Sequence, residues 1–436
     1  MTTTVPPSSH CIKLKPPGST TLLATFLITC SAGFVFADSL SDLVNEALAN
    51  NQGLRAAEKQ WESAKQQIRA EGGFADPMVG VTAERDNTRF SDYMDMSYMV
   101  SQQLPAWGER SSRVNAAKLQ AEAAGFRFLE TGRALRADTT ETAWALWLAD
   151  RRIETMQEMA QLAFDLTESV RARYESGQAM SADLVRAQIE QIKLTNEISN
   201  LLQIRAVALT TLNAQLNAAP DTPRSLDALD RFTEATPSLA ELLAKAQEVN
   251  CGLLAMERDA KAQELLTRAA RANRRPMVEL FVEGRQLEGR SGINEMDTGV
   301  ALNLPWIWNA KHKGAIASAD AERQVAEAAF QNEVRQIEQR VSEQRAQAEN
   351  ALRTTSVLRD NIVPLARQAV EQTQAAYTAG TGSLLDRIEA QRTLLDAELD
   401  LHTAVADHAR ALARLHQLVG TFGEWEESTG ALPRTK

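Results

Sequence analysis

Few side chains of this sequence are arranged for catalysis or metal binding. The five histidines are scattered, and His402 and His408, six residues apart, would lie on different faces of a helix. No HExxH, P-loop, GxGxxG or GxSxG segment is present. Met94, Met96 and Met99 are of a type that binds soft metals, but the first two share an apolar strand face, which favours contact with lipid. The sequence therefore predicts no enzyme, no cofactor and no metal site.

The charge balance argues against a nucleic-acid partner. The 436 residues include 47 Lys+Arg against 57 Asp+Glu, a formal net charge of -10, and no basic cluster stands out along the chain. Aromatic residues make up only 5% of the chain, while Ala, Gln, Glu, Leu and Arg are abundant, a composition typical of long helices.

The first residues are typical of an export signal. Two lysines precede a charge-free apolar stretch that ends at Ala37 in a small-residue cleavage pattern. We predict a signal peptide over residues 1–37, with a retained transmembrane anchor and lipid attachment at Cys30 as the alternatives. Cleavage leaves Cys251 as the only cysteine, so no intrachain disulfide can form.

One structural unit occurs twice. Positions recur at offsets of 199 to 203 residues, among them Asn51 and Asn250, Pro77 and Pro276, Leu104 and Leu304, Tyr174 and Tyr377, Gly177 and Gly380, and Asp183 and Asp386. We assign residues 38–218 to the first repeat, 219–237 to a linker, 238–420 to the second repeat and 421–436 to a C-terminal tail.

Each repeat contains two segments with period-2 alternation, which indicates strands with one apolar face. That face carries Val79, Val81, Ala83, Met94, Met96, Tyr98 and Val100 in the first repeat, and Val278, Leu280, Val282, Met296, Thr298, Val300, Leu302 and Leu304 in the second. Strands of this length cross a bilayer when tilted. Trp107, Trp306 and Trp308 follow the strand ends, where an aromatic belt at the membrane interface would lie.

Long helices make up the rest of each repeat. We expect helices over about 39–71 and 238–273, and uninterrupted helices over about 109–175 and 315–378. The chain then turns and returns as a second helix with a coiled-coil seam, formed by Ile198, Leu202, Arg205, Leu209, Leu212 and Leu216 and by Leu401, Val405, His408, Leu412, Leu415 and Val419. Arg205 and His408 occupy the same seam position, where a polar residue fixes register.

Four transmembrane strands cannot close a barrel, so the chain must oligomerise. Two copies would give eight strands and an interior filled with side chains, whereas three copies give twelve strands and room for water. The predicted fold is mainly α with a small transmembrane β part. We expect a homotrimer with a 12-stranded β-barrel in the membrane, continued by an α-helical barrel.

The order of helix, β-hairpin, long helix, turn and helix, found twice, resembles the TolC-like outer-membrane efflux channels. The resemblance covers residues 38 to about 420 and includes RYESGQAMSADLVRAQ and AYTAGTGSLLDRIEAQRTLLDAEL at the two helical turns. It implies a trimeric channel in the outer membrane that takes substrate from an inner-membrane pump through a periplasmic adaptor. The segment LPAWGER, at 104–110, is similar to the heavy-metal branch of the family, so metal efflux is a hypothesis for the substrate.

In that family the second turn carries acidic residues that ring a closed periplasmic entrance, and the matching positions are Asp386 and Glu389. Three copies would place six carboxylates around one axis as a charge-selective gate. The alternative is that an Asp at this position caps its helix. The resemblance further implies that the helical tips dock the adaptor, and the residues concerned are Gly177, Ser181, Asp183, Gly380 and Ser383.

A periplasmic coiled-coil adaptor or scaffold is the alternative function. It would also carry an export signal and long helical hairpins, but it does not predict four amphipathic strands followed by tryptophans.

Overall fold

A computed structural model describes residues 39–84, 95–224, 226, 237–287, 290–307 and 309–420. The described part is mainly helical with a small antiparallel sheet. The predicted signal peptide with Cys30, the tail 421–436, Met94, Trp308 and most of the predicted linker lie outside the described residues.

The described elements follow one order twice. The first series is α1 Leu40–Asn50, α2 Gln52–Gly72, β1 Met78–Glu84, β2 Asp95–Leu104, α3 Glu109–Glu175 and α4 Ser181–Gln215. The second is α5 Leu239–Val249, α6 Cys251–Ala272, β3 Val278–Gln286, β4 Glu295–Leu302, α7 Asn309–Val357, a π-helical segment Leu358–Ile362, α8 Val363–Thr378 and α9 Leu384–Val419. With 67 residues, α3 is about 100 Å long.

The first helix of each series is broken by an asparagine, where the sequence predicted one continuous helix. The side-chain oxygens of Asn51 and Asn250 accept the backbone N–H three residues on, at 3.1 and 3.0 Å, and so cap α2 and α6. Their amide nitrogens donate to the ends of α4 and α9, at Gln215 O (2.9 Å) and Leu418 O (3.1 Å). The repeated asparagines therefore join the start of each series to its last helix.

The long helix of the second series also differs from the prediction. It begins at Asn309 and is interrupted by the π-helical segment. Pro364 follows this segment in the first turn of α8, has no N–H, and would clash with the carbonyl of Asp360 in a regular helix. The wider turns of the π-helix accommodate this residue.

The sheet has the order β1-β2-β3-β4, with every pair antiparallel. Val79 pairs with Val100, which pairs with Val282, and Leu280 pairs with Val300. These five side chains share one face because alternate residues point the same way. All five are exposed, from 45% for Leu280 and Val282 to 74% for Val79. The predicted alternation thus forms a continuous apolar face across both hairpins.

The opposite face of the sheet is polar. It carries Glu279, Glu283 and Asp297, and Glu283 lies directly across from Asp297. Phe281 lies on this face over Gly299, where an added Cβ would overlap the phenyl ring. An apolar face and a charged face on one sheet are what a membrane-spanning wall around water requires.

The helices pack around α3, which contacts α2, α4, α6 and α9. The indole of Trp144 is fully buried in this core and meets Trp147 edge-on, with the ring centroids 5.0 Å apart. None of the described helices combines the length and hydropathy needed to cross a membrane.

The predicted coiled-coil seam of α4 needs one correction. Leu202 is 47% exposed, and Leu201 is buried in its place, because the helix turns a different face toward α3 in this stretch. Arg205 is held by Asp150 of α3, with Nε 2.5 Å from Oδ1. The equivalent His408 is buried, and its Nδ1 donates to Ala348 O of α7 at 3.0 Å.

Asn250→Ala should lower the free energy of unfolding by about 1–3 kcal/mol, because it removes two hydrogen bonds at a site that is 1% exposed. Denaturant titration of the purified protein measures the change. Asn196→Ala, at an exposed position of α4, should change it by less than about 0.5 kcal/mol. Equal effects of the two substitutions would contradict the joining role of Asn250.

Candidate gate at the helical turns

Two matching turns connect α3 to α4 and α8 to α9. Gly177 and Gly380 have φ of 75° and 76°, in the left-handed region that favours glycine. An added Cβ at either residue would meet nothing within 4 Å, so the backbone conformation alone requires glycine. Both turns also carry a hydrogen bond from the residue after the glycine to the last turn of the preceding helix.

The two turns differ in how the next helix begins. Ser383 caps α9, since its side chain accepts from Asp386 N at 3.1 Å and its N–H donates to Asp386 Oδ2 at 3.4 Å. The first turn has Met180 at the cap position, with no capping side chain and a side chain that is 74% exposed. Ser181 is the first residue of α4 and is therefore not the counterpart of Ser383. Asp386 and Ser383 therefore form a capping box at the start of α9, as the capping alternative for Asp386 predicts.

Charge also distinguishes the turns. Asp386 and Glu389 are exposed and three residues apart on α9, and within the described residues neither forms a salt bridge. In the first turn Arg186 stands where Glu389 stands in the second, and its Nη1 lies 3.7 Å from Asp183 Oδ1. In the first turn Arg186 neutralises the charge of Asp183, whereas in the second turn the carboxylates of Asp386 and Glu389 face solvent.

An ion pair holds the two returning helices together next to these carboxylates. Arg392 of α9 donates to both oxygens of Glu190 of α4, with Nε to Oε1 at 2.9 Å. The hydrogen bonds from Arg392 lower the pKa of Glu190, and the same bonds raise the pKa of Arg392. Glu190 therefore stays charged to a lower pH than an ordinary glutamate, and the ion pair is lost only when Glu190 becomes protonated.

Tyr377 is the packing centre of the turns. It is buried at 7% exposure in a cluster with residues of α3 and α9, and two arginines lie over its ring. The Cζ atom of Arg173 is 4.4 Å from the ring centroid, and that of Arg387 is 5.5 Å away. Burial lowers the pKa of Arg387, Tyr377 opposes that shift, and the nearby Arg173 adds to it. The face of the tyrosine ring is what makes two close guanidinium groups tolerable.

The sequence pairs Tyr174 with Tyr377 as equivalent positions, yet Tyr174 is 46% exposed. The difference arises because Tyr377 faces α3 and α9, whereas Tyr174 faces solvent at the end of α3. No pattern in the sequence separates the two tyrosines, so the burial of Tyr377 cannot be predicted from the sequence.

The remaining predicted site residues lie at the sheet. Trp107 and Trp306 are exposed at 86% and 58%, just after β2 and β4. Met96 lies on the apolar face, and Met99 lies on the polar face across from Glu283. Within the described residues, no group of three or more His, Cys, Asp or Glu could hold a metal ion.

The repeated order of helices and strands, with an amphipathic sheet at one end and paired turns at the other, defines a class of protein. The chain belongs to the outer membrane efflux protein family, whose profile matches residues 43–218 and 242–421. It is an outer-membrane efflux channel, and the alternative of a periplasmic adaptor is not favoured. Channels of this family are trimers that work in tripartite systems with an adaptor and an inner-membrane pump. They are passive, and no enzymatic activity is indicated.

Particular relatives support this assignment. The chain is 24% identical to the outer membrane protein TolC of Vibrio cholerae, over 89% of this chain and 92% of that protein. It is also 24% identical to the cobalt-zinc-cadmium resistance protein CzcC of Cupriavidus metallidurans, over 88% and 90%. The solved structure of the outer membrane protein VceC from Vibrio cholerae has the same fold, with a TM-score of 0.75, 18% identity and coverage of 87% and 96%.

Tyr377→Ala should lower the free energy needed to open the turns by about 3 kcal/mol, because it leaves a cavity and removes the ring that both arginines contact. Hydrogen exchange of the backbone amides of 376–390 should become faster. Tyr174→Ala removes an equivalent but exposed ring and should leave exchange unchanged. Similar exchange in both variants would show that Tyr377 does not hold the turns.

Proposed function

We propose that three copies of this chain form a 12-stranded β-barrel in the outer membrane, continued by an α-helical barrel into the periplasm. The open sheet is the observation that carries the proposal. β1 and β4 each have one edge without a partner strand in the described chain. An open edge in lipid leaves backbone groups unsatisfied at several kcal/mol each. Pairing β4 of one copy with β1 of the next satisfies them, and three copies leave a water-filled interior.

The barrel serves as a passive conduit for substrate delivered by the pump through the adaptor. The polar face of the sheet lines its interior, and the apolar face, with Trp107, Trp306 and Trp308, contacts outer-membrane lipid. The adaptor docks at the helical tips, whose residues are Gly177, Ser181, Asp183, Gly380 and Ser383. The exposed Met180 in the first turn supports this role, since it adds apolar surface there.

The carboxylates of Asp386 and Glu389 form the gate at the periplasmic entrance. Support comes from their exposure and from the absence of a salt bridge to either within the described residues. Three copies bring these charges together, where repulsion opposes closure and cations reduce it. Tyr377 and its two arginines supply the packing that opposes the repulsion.

Heavy-metal cations are the substrate class we propose. The support is the similarity to a protein named for cobalt, zinc and cadmium resistance, together with the segment LPAWGER. The acidic polar face of the sheet, with Glu279, Glu283 and Asp297, would attract such cations on their way out.

We further propose that residues 1–37 are removed as a signal peptide, and that 38–218 and 238–420 act as the two repeats on either side of a linker at 219–237. The described part of that linker is tied to the helices, since Arg224 pairs with Glu46 at 3.0 and 2.8 Å. Residues 421–436 form the C-terminal tail.

Cysteines at the two open edges test the barrel. Val79→Cys with Val300→Cys, or Val81→Cys with Val300→Cys, should form intermolecular disulfides in outer membranes, visible as dimers and closed trimers on non-reducing gels. The matched control is Val100→Cys with Val282→Cys, which face each other inside one chain and should give only an intrachain bond. Cross-linking that yields monomers alone for the edge pairs would overturn the proposal.

The gate is tested by removing its charges without removing the cap. Asp386→Asn with Glu389→Gln keeps a side-chain oxygen for the hydrogen bond from Ser383. Block of single channels by divalent cations in planar bilayers should weaken by about tenfold or more, since the charges that attract the cations are lost. Asp183→Asn, at a carboxylate already paired with Arg186, should have little effect. Unchanged block in the double variant would contradict the gate.

A further inference from the structure

Basic side chains gather where the helices meet the sheet. β1 and β3 begin, and β2 and β4 end, at the same end of the sheet, so all four helix–strand junctions lie there. These junctions and the first turns beside them carry Arg110, Arg274, Arg275, Lys311 and Lys313, which we call the basic collar. These residues come from three separate parts of the sequence, at 110, 274–275 and 311–313, and the fold brings the three parts to the same end of the sheet.

Two collar residues are held at positions that carry exposed aromatic residues, Arg110 by the ring of Phe74 and Arg275 by the backbone of Trp107. Arg110 donates to Gly72 O at 2.8 Å, and its Cζ is 4.4 Å from the ring centroid of Phe74. Arg275 donates to Trp107 O at 2.7 Å. Phe74 is 56% exposed and Trp107 is 86% exposed. Cations and exposed aromatic rings therefore share one band at the end of the apolar sheet face.

The other three collar residues have no ion-pair partner in the part of the chain that the structure describes. Arg274, Lys311 and Lys313 are exposed, and within the described residues none of them forms a salt bridge. Their acidic neighbours at the junctions are Asp76, which is exposed, and Glu109, which pairs with Arg113. This excess of cations contrasts with the chain as a whole, which is acidic.

Among the described residues the opposite end of the sheet is more acidic, although it also carries Arg285 and Arg290. At this end Glu84 lies across from Asp95 on the neighbouring strand, and Glu295 lies across from Arg285. Asp297 is two residues further along β4. The sheet thus carries a charge difference along its strands, with the basic end next to the long helices.

We propose that the basic collar binds the phosphate groups of anionic phospholipids in the membrane leaflet that faces the periplasm. The inference rests on the proposed crossing of the membrane by the sheet, which puts the helix side of the sheet at that leaflet. Clusters of Lys and Arg beside a membrane-crossing segment attract anionic headgroups, and aromatic rings at the same level fit the headgroup region. Arg274, Lys311 and Lys313 supply the charge complementarity to the phosphates. Arg110, next to Phe74, and Arg275, bonded to Trp107 O, set the depth of the collar in the headgroup region.

Quenching of tryptophan fluorescence by brominated lipids tests the proposal, because tryptophans lie in the collar band. The full-length protein is reconstituted into vesicles of brominated phosphatidylglycerol or brominated phosphatidylcholine, each diluted in unbrominated phosphatidylcholine. We expect phosphatidylglycerol to be preferred at least about fivefold, the effect of one basic residue at an anionic surface. The preference should fall as salt is raised.

The triple variant Arg274→Gln, Lys311→Gln and Lys313→Gln should lose most of this preference while keeping its channel conductance. The control triple variant Lys193→Gln, Arg335→Gln and Arg359→Gln removes as many charges from exposed positions on the helices and should keep the preference.

Equal quenching by the two lipids in the unmodified protein, or an unchanged preference in the collar variant, would overturn the inference. Failure of the barrel gives a different result, since a sheet that does not enter the membrane would be quenched by neither lipid.

Discussion

The open edges of a four-stranded sheet constrain everything else in this molecule. The sheet has an apolar face that must leave water and two edges whose backbone groups have no partner in the described chain. In lipid such edges are too costly to leave open. A single chain therefore supplies one section of the barrel wall, and we propose that further copies close it. The roles that we propose for the long helices, the paired turns and the collar depend on this closure.

The two repeats share their helix and strand order, and they differ at the turns to which we assign functional roles. Asn51 and Asn250 make the same two hydrogen bonds in the two repeats, so the joint between the first and last helices is shared. The turns are different. The second has a capped helix start, two carboxylates without a salt bridge among the described residues and a buried tyrosine, whereas the first has an exposed methionine and an aspartate paired with Arg186. In the gate that we propose, two unlike turns would separate adaptor docking from charge selection.

Regular patterns in the sequence predicted the regular parts of the fold. Alternation identified the strands and their apolar face, since side chains on a strand have a period of two. The helix break at Asn51 was missed because an asparagine inside an apolar repeat gives no sign that it caps a new helix. The π-helical segment depends on Pro364 meeting Asp360, and the burial of Tyr377 depends on neighbours from distant helices. The basic collar likewise cannot be recognised along the chain, because its members come from three separate helix–strand junctions.

The number of chains in the particle extracted from the outer membrane tests the central claim most directly. Native mass spectrometry of the protein in mild detergent should give three times the mass of one chain, and the assembly should dissociate only when the sheet unfolds. A stable monomer or dimer that still conducts ions in bilayers would contradict the account, because four or eight strands do not enclose a water-filled pore.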